Sequence, residues 1–373
     1  MRRERAFLRV FLATWFGGLA LLLALAIYVN PWRNFGDVGI TRLMNSRSTK
    51  LRYVAALPDA ELPDAYVLGS SNTMAYDPAD IERLLGYSAF NFGVFWGKSE
   101  DDLTILSWIL EDRKATPKLL IVGADTWALA PAEDDHPVFP GLRRELLNEP
   151  ALMKHHPPLG AWRIWWSRII DAFSQGQLKE YYRLLRAARN GEDVARRPSP
   201  GLLESGIFRA DGVRVTYGDA YGRVPGNIYE QVERGEFPIG EILQEKVDTG
   251  RTDELVHLRT YRFDRFLPAR VAHLEHFVEL AEAHGIDIVF VLNPVHPIFY
   301  EVLKEQTPHE ANVALLRALL ERLQAAHPNI LAIVDASRIE NFGGDPNGFF
   351  DEIHPSSTNT ERVLEKIAEA LGR

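Results

Sequence analysis

The chain contains no cysteine, which excludes disulfides, thiolate metal sites and cysteine nucleophiles. The compartment is left open by that absence, since a disulfide-free protein can live anywhere. An excess of positive charge is also missing: 42 Lys and Arg against 51 Asp and Glu leave a net charge of −9. A nucleic-acid binder would show a basic face instead. Only one long apolar run is present, so the chain is not a polytopic membrane protein. Internal repeats and long low-complexity segments are lacking too. What remains is ordinary globular composition, 46% hydrophobic and 25% charged, enough to bury a core. At 373 residues the length suits two domains, or one domain with a large insertion.

The single apolar run, Val10 to Val29, holds twenty residues without a charge. At about 1.5 Å per residue it just spans a bilayer core of about 30 Å. Arg2, Arg3, Arg5 and Arg9 precede it against one Glu4, which favours a cytoplasmic N-terminus, although Arg33, Arg42 and Arg47 follow. Trp15, Tyr28 and Trp32 sit near its ends, where interfacial aromatics gather. The alternative is a cleaved signal peptide, for which Ala24-Leu25-Ala26 supplies a site. The apolar run continues past that site to a full span, which favours an uncleaved anchor. Either way, residues from about Asn30 onward lie outside the cytoplasm. The expected layout is a cytoplasmic tail (1–9), an anchor (10–29) and a juxtamembrane stalk (30–60).

Beyond the stalk a strand–helix rhythm begins. Short apolar runs bounded by turn residues predict strands at Ala65–Gly69, Ser88–Phe92, Lys118–Gly123, Ile286–Leu292 and Asn329–Asp335. Helices are predicted from Asp77-Pro78, from Ser99 to about Lys114, and over about 267–284, 309–326 and 357–371. Thr358 and Glu361 have the spacing of a capping box. Nearly continuous apolar strands alternating with helices predict a doubly wound α/β domain with a five-stranded parallel sheet over 61–127 and 267–373. Residues 128–266 break the rhythm and are predicted to form one large, mostly helical insertion capping the site.

In such a sheet the ligand site lies outside the carboxyl ends of the strands. The segments placed there are Gly69-Ser70-Ser71-Asn72, Asn91 to Ser99, Gly123-Ala124-Asp125-Thr126-Trp127, Asn293 to Pro297, and Asp351-Glu352-Ile353-His354. They contain the parts of a serine nucleophile system. Ser71 can project a hydroxyl from a tight turn, His354 can take its proton, and Asp351 can fix the imidazole tautomer. Backbone N–H groups of Ser71 and Gly97 are candidate oxyanion donors. Each signal alone is weak, since a Gly-Ser-Ser turn is usually a turn and Asp-x-x-His before a helix is usually a cap.

In combination the chain resembles the SGNH/GDSL hydrolase superfamily, whose fold is flavodoxin-like. Gly69-Ser70-Ser71 is similar to its first block, Gly97 to its second-block glycine, and Asp351 with His354 to its fifth block. Two departures stand out. The family's third block carries Asn as an oxyanion donor, and here the position is Asp125, a carboxylate that cannot donate when ionised. Ser70 replaces the block-one Asp. The N-terminal anchor and helical insertion are similar in layout to membrane-anchored proteins of cell-envelope polymer acylation. That resemblance implies acyl-ester chemistry on a cell-surface glycan or polymer, with a membrane-bound O-acyltransferase as partner. It requires no cofactor and no metal. A rival implication is a scaffold or glycan-binding subunit with a weakened oxyanion hole, and Asp125 feeds that rival.

Other residues carry two readings. Trp96, Trp127 and Asn72 flank the proposed site as candidate substrate contacts, with packing under the insertion as the alternative for the two indoles. His296 is either a cleft residue or a loop residue between prolines. Asp134-Asp135-His136, His155 and His156 are read as solvated loops rather than metal ligands. Trp162, Trp165 and Trp166 are spaced as a buried helix face is, with a membrane-surface contact as the alternative.

Overall fold

Five apolar runs become five strands: β1 (Ala65–Leu68), β2 (Ala89–Asn91), β3 (Leu119–Ala124), β4 (Asp287–Leu292) and β5 (Ile330–Asp335). A computed structural model describes residues 2–30, 35, 46–131, 144–156, 161–191, 202–203 and 206–373. The strands form one sheet in the order β2-β1-β3-β4-β5, every neighbour parallel. The order reverses between β1 and β3, where the loops leaving the carboxyl ends diverge and open a crevice.

Side chains alternate across the sheet and find a helical layer on each face. On one face Val67, Ile121, Val289 and Val334 pack with Ile81 and Leu85 of helix Pro78–Leu85 and with Val363, Leu364 and Ile367 of helix Ser357–Ala370. On the other face Tyr66 meets Phe92, which meets Trp108 of helix Ser99–Glu111. That helix packs against Pro268–Ala283. Each aliphatic side chain buried this way stabilises the fold by about 1.5–3 kcal/mol.

Local signals set several boundaries. Asp77 accepts the Ala79 N–H at 2.9 Å, Pro78 fills the first helical position, and Gly86 ends the helix in the left-handed region at φ 71°. The Thr358–Glu361 capping box does not form. The N-cap is Ser356, Thr358 lies inside the first turn, and Glu361 pairs with Arg83 at 2.7 Å.

The chain divides into two compact units, Met1–Ser48 with Ala132–Pro198, and Thr49–Pro131 with Ser199–Arg373. The second holds the sheet. Residues after 199 group with it because they knit into it: the Asn91 N–H donates to the Asp211 carbonyl at 2.9 Å and the Arg214 N–H to that of Met74 at 3.0 Å. Tyr217, Ile228, Phe237, Leu258 and Tyr261 share an apolar cluster with Trp127, Phe299, Phe349 and Phe350. A helix that the sequence pattern missed, Pro297–Gln306, contributes Phe299 to that cluster.

In the first unit, Arg2–Val29 is one continuous helix, long and apolar enough to cross a membrane and almost wholly exposed; by length and composition a signal sequence passes the same test. Its end packs through Ala26 and Val29 against Ala172, Tyr181 and Leu184. These belong to two helices, Ala161–Ala172 and Gln175–Arg189, within the stretch expected to be mostly helical. The expected burial of the tryptophans is overturned: Trp162, Trp165 and Trp166 are 71%, 61% and 51% exposed, while Ser167 and Asp171 are buried. The spacing does mark one face, and that face points outward. The featureless stalk includes a helix, Ser46–Ala56. Asp134, Asp135 and His136 lie outside the described residues.

Candidate active site

Ser71, Asp351 and His354 come from opposite ends of the α/β sequence and meet at the crevice. Gly69, at φ +119°, turns the chain after β1; a Cβ there would lie 2.8 Å from the Gly123 carbonyl oxygen. The turn continues as a short 3-10 helix, Ser71–Thr73, capped by Ser70, whose hydroxyl accepts the Asn72 N–H at 3.1 Å. Asn91 braces it from β2, donating to the carbonyls of Thr73 (2.7 Å) and Tyr76 (2.9 Å). Ser71 is thus held half-buried at the sheet edge.

Asp351 Oδ2 lies 2.6 Å from His354 Nδ1, and His354 Nε2 lies 2.8 Å from Ser71 Oγ. An ionised carboxylate only accepts, so Nδ1 carries the proton and Nε2 accepts the Ser71 hydroxyl. The other Asp351 oxygen accepts the backbone N–H groups of Ile353 (2.9 Å) and His354 (3.0 Å). Burial by itself would push Asp351 up. The charges of His354 and His257 and the hydrogen bonds from His354 and the Ile353 N–H outweigh it, so the carboxyl is held below its ordinary range. The arrangement can draw the Ser71 proton onto His354 while Asp351 stays ionised.

Asp125 lies at the end of β3 as expected, but its carboxylate is used differently. It is 6% exposed and accepts three hydrogen bonds, from Ser70 Oγ (2.5 Å), Asn72 Nδ2 (2.8 Å) and Asn293 Nδ2 (3.1 Å). Burial raises its proton affinity, and those three donors oppose the rise. Asp125 is a brace under the serine turn rather than an oxyanion contact. Asn72 is fully buried with its amide committed to Asp125, so it does not face a substrate.

Gly97 fits tightly, since a Cβ would lie 2.3 Å from the Gly69 carbonyl oxygen. Its N–H, expected to be an oxyanion donor, is used within its own loop by the Val94 carbonyl at 3.0 Å. The Ser71 N–H has no protein acceptor among the described residues. Trp96, next to Gly97, sits in the left-handed region at φ +54°, a conformation that costs a bulky residue energy and is over-represented at functional sites. It is half-buried and meets Trp127 edge-on at 5.3 Å; Trp127 is itself buried, as the packing alternative had it. His296 is also buried, accepting the Ile298 N–H through Nδ1 at 3.2 Å, and burial drops it to about 4, which keeps it a neutral cap.

Sequence reasoning missed His257. Its ring stands 5.5 Å from that of His354 and 6.2 Å from that of Trp96. Its Nδ1 lies 3.4 Å from Oε1 of Glu352, a fully buried carboxylate that also accepts the His257 N–H (2.9 Å) and the Tyr221 hydroxyl (2.6 Å). Burial favours the neutral imidazole, but Asp351 and Glu352 outweigh it and raise the pKa. Glu352, inside the Asp351–His354 motif, was the available hint: a buried acid needs a partner. Arg214 lies over the Tyr217 ring at 3.9 Å, and Tyr217 stacks on Phe350 at 3.6 Å, which walls the other side of His354.

Among the described residues, one cluster has metal-ligand spacing, with atoms of His257, Asp351 and His354 within 4.8 Å of one another. A cation there would compete with hydrogen bonds that already engage both Asp351 oxygens and both ring nitrogens of His354. No protein-family model matches the chain, and the curated proteins contain no match to it.

Proposed function

We propose that the chain is a membrane-anchored, extracytoplasmic acyl-ester enzyme of SGNH type, acting on a cell-surface polysaccharide or related polymer. The observation that supports it most is the unbroken relay from Ser71 through His354 to Asp351 at the carboxyl edge of a parallel sheet. Ser71 Oγ attacks the acyl carbonyl as its proton passes to His354 Nε2. His354 returns that proton to the departing alcohol, leaving an acyl ester on Ser71. A hydroxyl of the acceptor, or water, then takes the acyl group while His354 accepts its proton, and Ser71 is restored. The Ser71 N–H is one donor for the oxyanion, and a protonated His257 adds positive charge beside the relay. The half-buried indole of Trp96 offers a stacking surface for a sugar ring. The N-terminal helix would place the catalytic unit on the outer side of the membrane, within reach of a membrane-bound O-acyltransferase.

A second reading keeps a specific observation. With Gly97 N–H engaged by Val94 and a carboxylate at position 125, oxyanion donors are few, as a glycan-binding scaffold subunit could tolerate. The test is reaction of the full chain with an activated acetyl ester, followed by peptide mapping. An acetyl group on Ser71, lost in Ser71→Ala and largely lost in His354→Ala, supports the enzyme. An unmodified Ser71 in a folded chain favours the scaffold.

A further inference from the structure

We propose that the helical hairpin of the first unit, Ala161–Ala172 with Gln175–Arg189, is a membrane-docking element that lies on the headgroup–acyl boundary of an anionic bilayer. This inference rests on the reading of Arg2–Val29 as a membrane anchor and goes beyond it.

The first observation is an inverted helix. A helix of a soluble unit turns apolar residues inward and polar ones to water. Here Ser167 and Asp171 are buried while Trp162, Trp165 and Trp166 face out, with Ile170 beside them at 37% exposure. The second helix repeats the pattern: Leu178 and Tyr182, one turn apart, are 40% and 69% exposed. Leaving three indoles, a phenol and two aliphatic side chains in water is costly, and indole and phenol rings are the side chains that favour a membrane interface.

The second observation is continuity. The hairpin packs through Ala172, Tyr181 and Leu184 on Ala26 and Val29, the last turn of the apolar helix, which is otherwise almost wholly exposed. A bilayer that surrounds that helix ends near the same turn, which brings its interface to the hairpin.

The third is charge. Residues 161–191 carry six basic and two acidic side chains, a net of +4, in a chain whose overall charge is −9. Basic side chains flanking exposed aromatics suit anionic phospholipid headgroups.

The absence of native cysteine allows a direct test. Single nitroxide labels are placed by Trp162→Cys, Trp165→Cys and Trp166→Cys, with Phe11→Cys in the apolar helix and Leu331→Cys on the α/β unit as references. All five side chains are at least two-fifths exposed, so little packing is removed. The full chain is reconstituted in nanodiscs of phosphatidylcholine with and without phosphatidylglycerol. Accessibility to oxygen and to a water-soluble nickel chelate is then read by paramagnetic resonance. Docking predicts an oxygen-to-nickel ratio at the three hairpin sites several-fold above that at Leu331 and below that at Phe11, rising with phosphatidylglycerol. Ratios equal to Leu331, with Phe11 lipid-exposed, overturn the docking and leave the anchor standing. Hairpin labels shielded from both reagents overturn it in favour of a protein partner, such as a second copy. A water-exposed Phe11 would remove the anchor and the inference with it. None of these outcomes depends on Ser71 chemistry.

Discussion

At the scale of single residues, Ser71, Asp351 and His354 were legible because each is a chemically distinctive group on a loop at a predictable sheet edge. Asp125 was legible by place and misread by role. Its carboxylate gathers three donors, a use that only the folded turn reveals. Asp125→Ala should therefore strand the three donors and cost about 3 kcal/mol or more, since a buried unsatisfied polar group costs about 1–3 kcal/mol. Asp125→Asn keeps an acceptor for Asn72 and Asn293 and should cost less than half as much. Urea unfolding of the two variants checks the order. His257 was not legible, because it sits in a stretch without periodicity and its partners lie far away in sequence. Its raised pKa sets a sign: the protonated form is favoured by the fold. That contribution is fully present below the ordinary value of 6.5 and is lost as pH rises through the higher folded value. Wild type should exceed His257→Gln in stability at pH 5.5 by more than at pH 9. Equal differences at both pH values would show that His257 carries no such charge.

At the scale of elements, strand positions were legible to within a residue or two because buried parallel strands are continuous apolar runs closed by turn residues. His309–Ala326 matches its expected helix. Helix Pro297–Gln306 was missed because its ten residues present too short a period. The tryptophan helix teaches a related lesson: a three–four spacing defines a face, and only packing decides which way that face turns. The loop at Gly97 was legible as a glycine requirement, and the structure supplies the reason in the Gly69 carbonyl that a side chain would strike. Gly97→Ala should displace the serine turn, destabilising the α/β unit by about 2 kcal/mol or more, the range of backbone-strain mutations. It should also abolish acylation of Ser71. A variant of wild-type stability would show that the loop can shift at little cost.

At the scale of the whole molecule, alternation of strands and helices gave the doubly wound sheet, and an uncharged run of twenty residues gave the N-terminal apolar helix. The division into units was harder to see. Residues 199–266 lack a repeating pattern, yet they bond to β2 and the serine turn and supply His257, Tyr217 and Arg214 around His354. Such long-range packing leaves no periodic trace. The proposed chemistry therefore draws on the whole α/β unit, from the Gly69 turn to the last helix. The measurement that tests it most directly is the rate at which a fluorophosphonate modifies Ser71 in the full chain, compared with His354→Ala. The account predicts stoichiometric modification of Ser71 in wild type and a rate lowered by about a hundredfold or more in His354→Ala, the scale of a lost general base. Equal rates in the two proteins, or modification elsewhere than Ser71, would contradict it.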